Sequence, residues 1–281
     1  MFDLVSWMSL IKIVVAIIMV VVVTLLAEHV STRFAGIFSG YPLGSAITLF
    51  FIGLEVGPRF AGDAAVYTMM GLVSLQSLLY VYYRVTRRIG SGSSVWAILL
   101  STICGAFVFI VIGLVLKLVD VSTWMAAVIS MFSIIFFDRV FKNLENARIE
   151  KSRKTSLKLL MLRALFAAVS ILIITLTAAW LGQRWSGLLA AFPVTMLPMM
   201  IIIHYSYRKE HVYTIIKNVP RGLVCIVIYC SMVAATYPTI GVGWGTLTAY
   251  ILATIYLVLI SINYPTIRWY KPRNIDVGID K

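Results

Sequence analysis

Apolar stretches of about 20 residues, the length that crosses about 30 Å of hydrocarbon, follow one another along almost the whole chain. In lipid such a stretch has one backbone solution, because every peptide N–H and C=O needs a partner within the segment. Each is therefore expected to be an α-helix, and strands are not expected. Only 12% of the 281 residues are charged and 61% are hydrophobic, far from the roughly one-quarter charged share of soluble domains.

Nine spans can be drawn, at about 7–27, 36–57, 63–84, 95–117, 122–138, 158–181, 186–206, 218–237 and 245–264. The fifth is the shortest, set apart from the fourth by Lys117 and Asp120. Basic residues follow the odd-numbered spans: Arg33; Arg84, Arg87 and Arg88; the run from Arg139 to Lys158; Arg208, Lys209 and Lys217; and Arg268, Lys271, Arg273 and Lys281. The other side has Arg59, Lys117 and Arg184, with Lys12 inside the first span. The positive-inside bias then puts the N-terminus outside and the C-terminus in the cytoplasm. The net charge of +13 is a matter of topology and argues no nucleic-acid partner. The first apolar run lacks a basic leader and a cleavage site, so it is expected to be a retained helix.

The run from Arg33 to Pro42 (RFAGIFSGYP) returns from Arg184 to Pro193 (RWSGLLAAFP), an offset of 151 residues. The same offset carries Ile89-Gly90-Ser91-Gly92 onto Ile240-Gly241-Val242-Gly243. With an odd number of spans between the copies, they face opposite ways, as in inverted-repeat transporters. The expected organisation is all-α, a 4+1+4 plan: a first four-helix repeat over 1–118, a connecting helix and basic cytoplasmic linker over 119–157, and a second, inverted repeat with its tail over 158–281.

Spans two and seven hold the chemistry. Gly36, Gly40, Pro42 and Gly44 crowd one end of span two, and Pro193 and Pro198 interrupt span seven. Proline removes a backbone donor and clashes with the preceding turn, and bared peptide groups are tolerated in a membrane only beside protein or a water-filled cavity. Matching interruptions in two halves are a pointer to a substrate site; the plainer alternative is a packing kink. The expected binding set is Gly40, Tyr41, Pro42 and Ser45 with Phe192, Pro193 and Thr195, joined by Gln76 of span three and Arg221 of span eight. Ser39, Thr48 and Ser186 are further hydroxyls at the breaks, although Ser and Thr also bond back to their own helix.

Arg221 lies inside the bilayer if its helix starts before Tyr213, and at the cytoplasmic interface if Pro220 opens the helix. Gln76 serves a substrate or a neighbouring helix, and Arg33 and Arg184 draw an anion or anchor their helices at the headgroups. His204 is expected at the interface. Glu28, Glu55, Asp63, Asp120 and Asp138 all fall at predicted helix ends, which argues against carboxylate-based proton coupling. Cys104, Cys225 and Cys230 lack metal-ligand spacing and read as packing residues. Gly90-Ser91-Gly92-Ser93-Ser94 lacks the lysine and preceding strand of a phosphate loop. No metal, cofactor or enzymatic constellation is expected.

The run Ser186-Gly187-Leu188-Leu189-Ala190-Ala191-Phe192-Pro193, followed by an apolar stretch ending His204-Tyr205 and a charged turn, resembles the small bacterial inner-membrane proteins of the GlpM type. The likeness covers about 158–264; the first half keeps the Gly and Pro but has Gly53 where His204 aligns. It implies a four-span unit, duplicated here in one chain of a bacterial inner membrane, and supplies no reaction or substrate. The expectation from the sequence is a secondary transporter of a small polar, anionic organic solute, with lipid and a second copy of the chain as candidate partners. A channel, a lipid translocator and a non-transporting scaffold subunit are the alternatives.

Overall fold

The computed structural model describes residues 7, 10–15, 17–18, 37–38, 40–89, 95–144, 157–206 and 209–263. Arg33, Gly36, Ser39, Glu28, His29, the Gly-Ser run at 90–94, the central part of the basic linker and the C-terminal tail lie outside them. Among the described residues the structure is helical throughout, with no strand. We number the helices α1 (Leu43–Glu55), α2 (Pro58–Ile89), α3 (Val95–Leu116), α4 (Thr123–Phe141), α5 (Leu157–Ala190), α6 (Met196–Ser206), α7 (Lys209–Ile240) and α8 (Val242–Asn263). Residues 10–15 form part of a helix ahead of α1.

Six of these helices are long and apolar enough to cross a membrane, and α1 and α6 are shorter. Their surfaces agree with a lipid setting. On α3, Leu99, Ile103, Phe107, Ile110 and Leu114 form an exposed stripe at helical spacing, a face that water would not tolerate at that size. Trp96, Trp124 and Trp244 are exposed in the first turns of α3, α4 and α8, and Trp180 is exposed two residues before a kink in α5. Tryptophan at helix ends is what a headgroup layer selects.

The core is built on two helices. α2 packs against α1, α3, α4, α5 and α7, and α7 against α2, α4, α6 and α8. Each has 32 residues, and their first and last residues are offset by 151. At 1.5 Å per residue each is about 48 Å long. Both outrun the apolar windows drawn for the third and eighth spans. The eighth starts at Lys209 rather than near 218 because hydropathy marks where lipid ends, not where a helix does. Glu210 in the first turn suits the helix dipole. Thr214 and Asn218 bond back to the carbonyls of Glu210 and Thr214, so neither polar residue ends the helix. Pro220 consequently lies inside α7 rather than at its first position, and Arg221 follows it within the helix.

α5 contains a sharp kink at Gly182, with φ 77° and ψ 165°. This merges the sixth span with the start of the seventh. Ser186, a candidate for lining a pocket, is instead buried and donates to the carbonyls of Ala178 and Gly182, stitching the two arms together. A Cβ on Gly182 would meet nothing within 4 Å. Gly182→Ala therefore isolates the backbone cost, expected at about 1–3 kcal/mol for a conformation close to glycine-only, read as lower resistance to thermal unfolding in detergent.

Candidate functional site

Both broken spans are broken in the same way. In the first, Gly40 and Tyr41 donate to the carbonyls three residues back, at Ile37 and Phe38 (3.0 Å each), closing the preceding helix with a tight turn. Leu43 N–H then reaches over Pro42 to Tyr41 O at 2.7 Å, and Ala46 N–H bonds Pro42 O at 3.1 Å. In the second, Ala191 and Phe192 donate to Leu188 and Leu189 (3.2 and 2.9 Å), Val194 to Phe192 O (2.7 Å) and Leu197 to Pro193 O (2.9 Å). Every one of these four bonds recurs 151 residues later. Pro42, with φ −75° and ψ 54°, has the inverse γ-turn conformation. A proline disfavours the helical region for the residue before it, so neither preceding helix continues through Tyr41 or Phe192.

The result is two half-helices, α1 and α6, that begin inside the protein. Pro42 occupies the N-cap position of α1 and no side chain caps its first turn. Pro198 is the third residue of α6, in the turn where the missing N–H is an orphan anyway, so Pro193 alone makes the break and Pro198 does not interrupt the helix. The two starts touch: a Cβ on Gly44 would lie 2.8 Å from Cγ2 of Val194. Two helix N-termini, each carrying the positive end of a dipole, thus meet where both backbones are interrupted.

Close packing on one of the two long central helices supports each break. Gly40 lies on Gly222 of α7, backbone against backbone, while Leu188 and Ala191 lie on Gly71 of α2, where a Cβ would come within 2.6 Å of the Ala191 methyl. Gly71 and Gly222 are themselves 151 residues apart.

The expected site residues divide. Gly40, Tyr41, Pro42 and Ser45 surround the first break and Phe192, Pro193 and Thr195 the second. Tyr41 shares a 2.6 Å hydroxyl bond with Thr254 and stacks on Phe38, and Tyr250 donates to Pro42 O at 3.4 Å. Phe192 meets Phe109 edge-on. Ser45 and Pro193 are buried; Thr195 is half-buried. Thr48 is spent on its own helix, donating to Gly44 O.

Gln76 is bonded away from the breaks, its amide donating to Leu72 O and to Ser133 of α4 at 2.9 Å; its Oε1 is buried without a partner. Arg221 neighbours Gly222, yet its Nε donates to Asp138 of α4 at 3.1 Å. Arg184 pairs with Asp120, donates to Lys117 O and covers the Tyr67 ring, so its contacts are with the protein itself. His204 is enclosed by protein. It is buried at 1% exposure in the last turn of α6, with Nδ1 2.9 Å from the Tyr82 hydroxyl and Nε2 buried without a partner.

One group escaped the reading of the sequence. Lys12 is fully buried, donating at 2.7 Å to Glu55 Oε2 at the end of α1 and at 2.7 Å to Thr175 Oγ1 of α5. Its ammonium also lies 5.7 Å from the centre of the Phe51 ring. The signal was present as a lone lysine in an apolar run, a residue type that is costly in a membrane and usually functional. Glu55 does fall at a helix end, but 43 residues from the cation that holds it.

A family described as "Protein of unknown function (DUF3147)" matches residues 160–268, the same half that carries the GlpM-like run. No curated protein and no solved structure matches the chain.

Proposed function

We propose that this chain is a secondary transporter of a small anionic organic solute, working by alternating access between two inverted halves, 1–118 and 158–281, joined by the connector 119–157. The observation that carries this reading is the pair of interrupted helices with identical hydrogen-bond patterns, meeting at Gly44 and Val194. Two helix starts this close, the first without a side-chain cap, favour a negative group beside them. α4 supports the connector role by packing on both α2 and α7. The N-terminus lies outside and the C-terminus in the cytoplasm of a bacterial inner membrane, and the GlpM-like run is one four-span unit of the duplicated plan.

Purified protein in liposomes is expected to take up at least one of labelled acetate, lactate, succinate, citrate or phosphate saturably, and to exchange it against internal unlabelled anion. Pro193→Ala restores a backbone donor at the break and is expected to abolish that exchange in protein that still folds. Indifference to every anion, with Arg221→Ala behaving as the parent, would rule the assignment out.

A further inference from the structure

Lys12 is the one fully buried lysine, arginine, aspartate or glutamate among the described residues, and it pairs with Glu55 at the far end of α1 from the first break. Its neighbour Ile13 packs, with Ile47 and Phe192, on the cluster formed by Ala168, Ile171 and Val194. Thr175 stands one helical turn beyond Ile171 on α5.

The local chemistry is asymmetric. Thr175 gives its own proton to Leu172 O at 3.2 Å, which leaves its oxygen to accept from Lys12 and fixes the ammonium from that side. On the other side the only described acid is Glu55, whose side chain keeps 23% exposure while that of Lys12 has none. The carboxylate thus stands between the cation and the open side. Among the described residues, the elements packed against α1 carry few charged side chains near this pair. α2 brings Arg59 and Asp63, both exposed. α7 and α8 bring tyrosines to α1, with Tyr237 facing Gly53 and Tyr250 facing Pro42. α5 brings Thr175 and has no charged residue between Ala164 and Gln183.

We propose that Lys12 Nζ, assisted by Thr175, binds the oxygen of a carboxylate or phosphate anion, which takes the place of the Glu55 carboxylate while Glu55 picks up one proton. The proposal rests on the reading of the chain as an anion transporter and adds to it a cation, a site and a coupled proton. The charges balance in both states. Ammonium with carboxylate is neutral, and ammonium with bound monoanion beside a protonated Glu55 is neutral as well. An anion without the proton, or the proton without an anion, leaves a net charge beside the fully buried ammonium, where it is disfavoured. Proton and anion therefore bind together, and each tightens the other by the same factor.

Isothermal titration of the full chain in nanodiscs with the monoanions acetate, lactate and dihydrogen phosphate, in two buffers of different protonation enthalpy, tests this. One proton is expected to be taken up per anion, with affinity rising about tenfold for each unit of falling pH while Glu55 is ionised in the free protein. Glu55→Gln keeps a hydrogen-bond acceptor for Lys12 and is expected to bind the same anion without proton uptake or pH dependence. Lys12→Gln should not bind it. If either single variant fails to fold, the neutral pair Lys12→Gln with Glu55→Gln replaces Lys12→Gln, and the parent protein still reports the proton count. Failure of every anion to bind the parent overturns the proposal, as does binding without proton uptake or binding untouched by loss of Lys12. Saturable anion exchange that survives in Lys12→Gln overturns this site but leaves the transporter reading standing. Lys12-dependent binding in a protein that exchanges no anion does the reverse.

Discussion

Gly222→Ala is expected to be among the most damaging single-methyl changes in this protein. The added Cβ would land on the carbonyl oxygen of Ile37, well inside contact distance, and a Cβ on Gly40 would land on the backbone of Gly222 and Leu223. The obstacle is backbone held by two helices, with no flexible side-chain end to swing away. Overpacking typically costs about 1–3 kcal/mol when side chains can shift, so about 3 kcal/mol or more is expected here. Gly71→Ala, at the matching place in α2, meets the Ala191 methyl at 2.6 Å and Leu188 O at 3.0 Å, and should cost less. Gly243→Ala in α8 meets nothing within 4 Å and should be neutral or slightly stabilising, since glycine in a helix carries a penalty of about 0.5–1 kcal/mol relative to alanine. Denaturant titration of the three variants in mixed micelles gives the order. A Gly222→Ala protein as stable as Gly243→Ala would mean that the first break does not pack on α7 as described.

The breaks were legible in the sequence because proline acts locally. Whatever surrounds them, Pro42 and Pro193 lack an N–H and restrict the residue before them, so the interruption follows from two positions. Pro198 shows the limit of that logic. The same residue type is harmless in a first turn, and which turn it occupies depends on where the neighbouring break falls. The span positions were legible where apolar runs meet charge, yet α7 begins nine residues before its window because Thr214 and Asn218 satisfy themselves on the helix. Long-range pairings were the least legible. Lys12 with Glu55, Arg221 with Asp138 and His204 with Tyr82 are separated by 43, 83 and 122 residues. Each is made by packing that brings opposite ends of the chain together, and nothing in the local pattern around Glu55 or His204 distinguishes a partnered group from an interfacial one.

Lys12→Met alone is expected to destabilise the protein by about 3 kcal/mol, the lower end of the range for breaking a buried pair, because Glu55 keeps 23% exposure and can recruit some solvent. The loss comes mostly from the carboxylate left behind: its ammonium is gone, and Thr175 has already committed its proton to Leu172. Glu55→Leu alone leaves the worse orphan, an ammonium with no exposure and one hydroxyl oxygen for company. The double variant Lys12→Met with Glu55→Leu removes both charges and replaces them with side chains suited to an apolar site, so it should regain the parent's stability or exceed it by about 1–4 kcal/mol. That pattern, two damaged singles and a sound double, would show that the pair is not retained for stability. A folded double variant without anion exchange would then tie the buried charge to transport. If instead the double is as unstable as the singles, the ion pair is a structural tie between the N-terminal helix, α1 and α5.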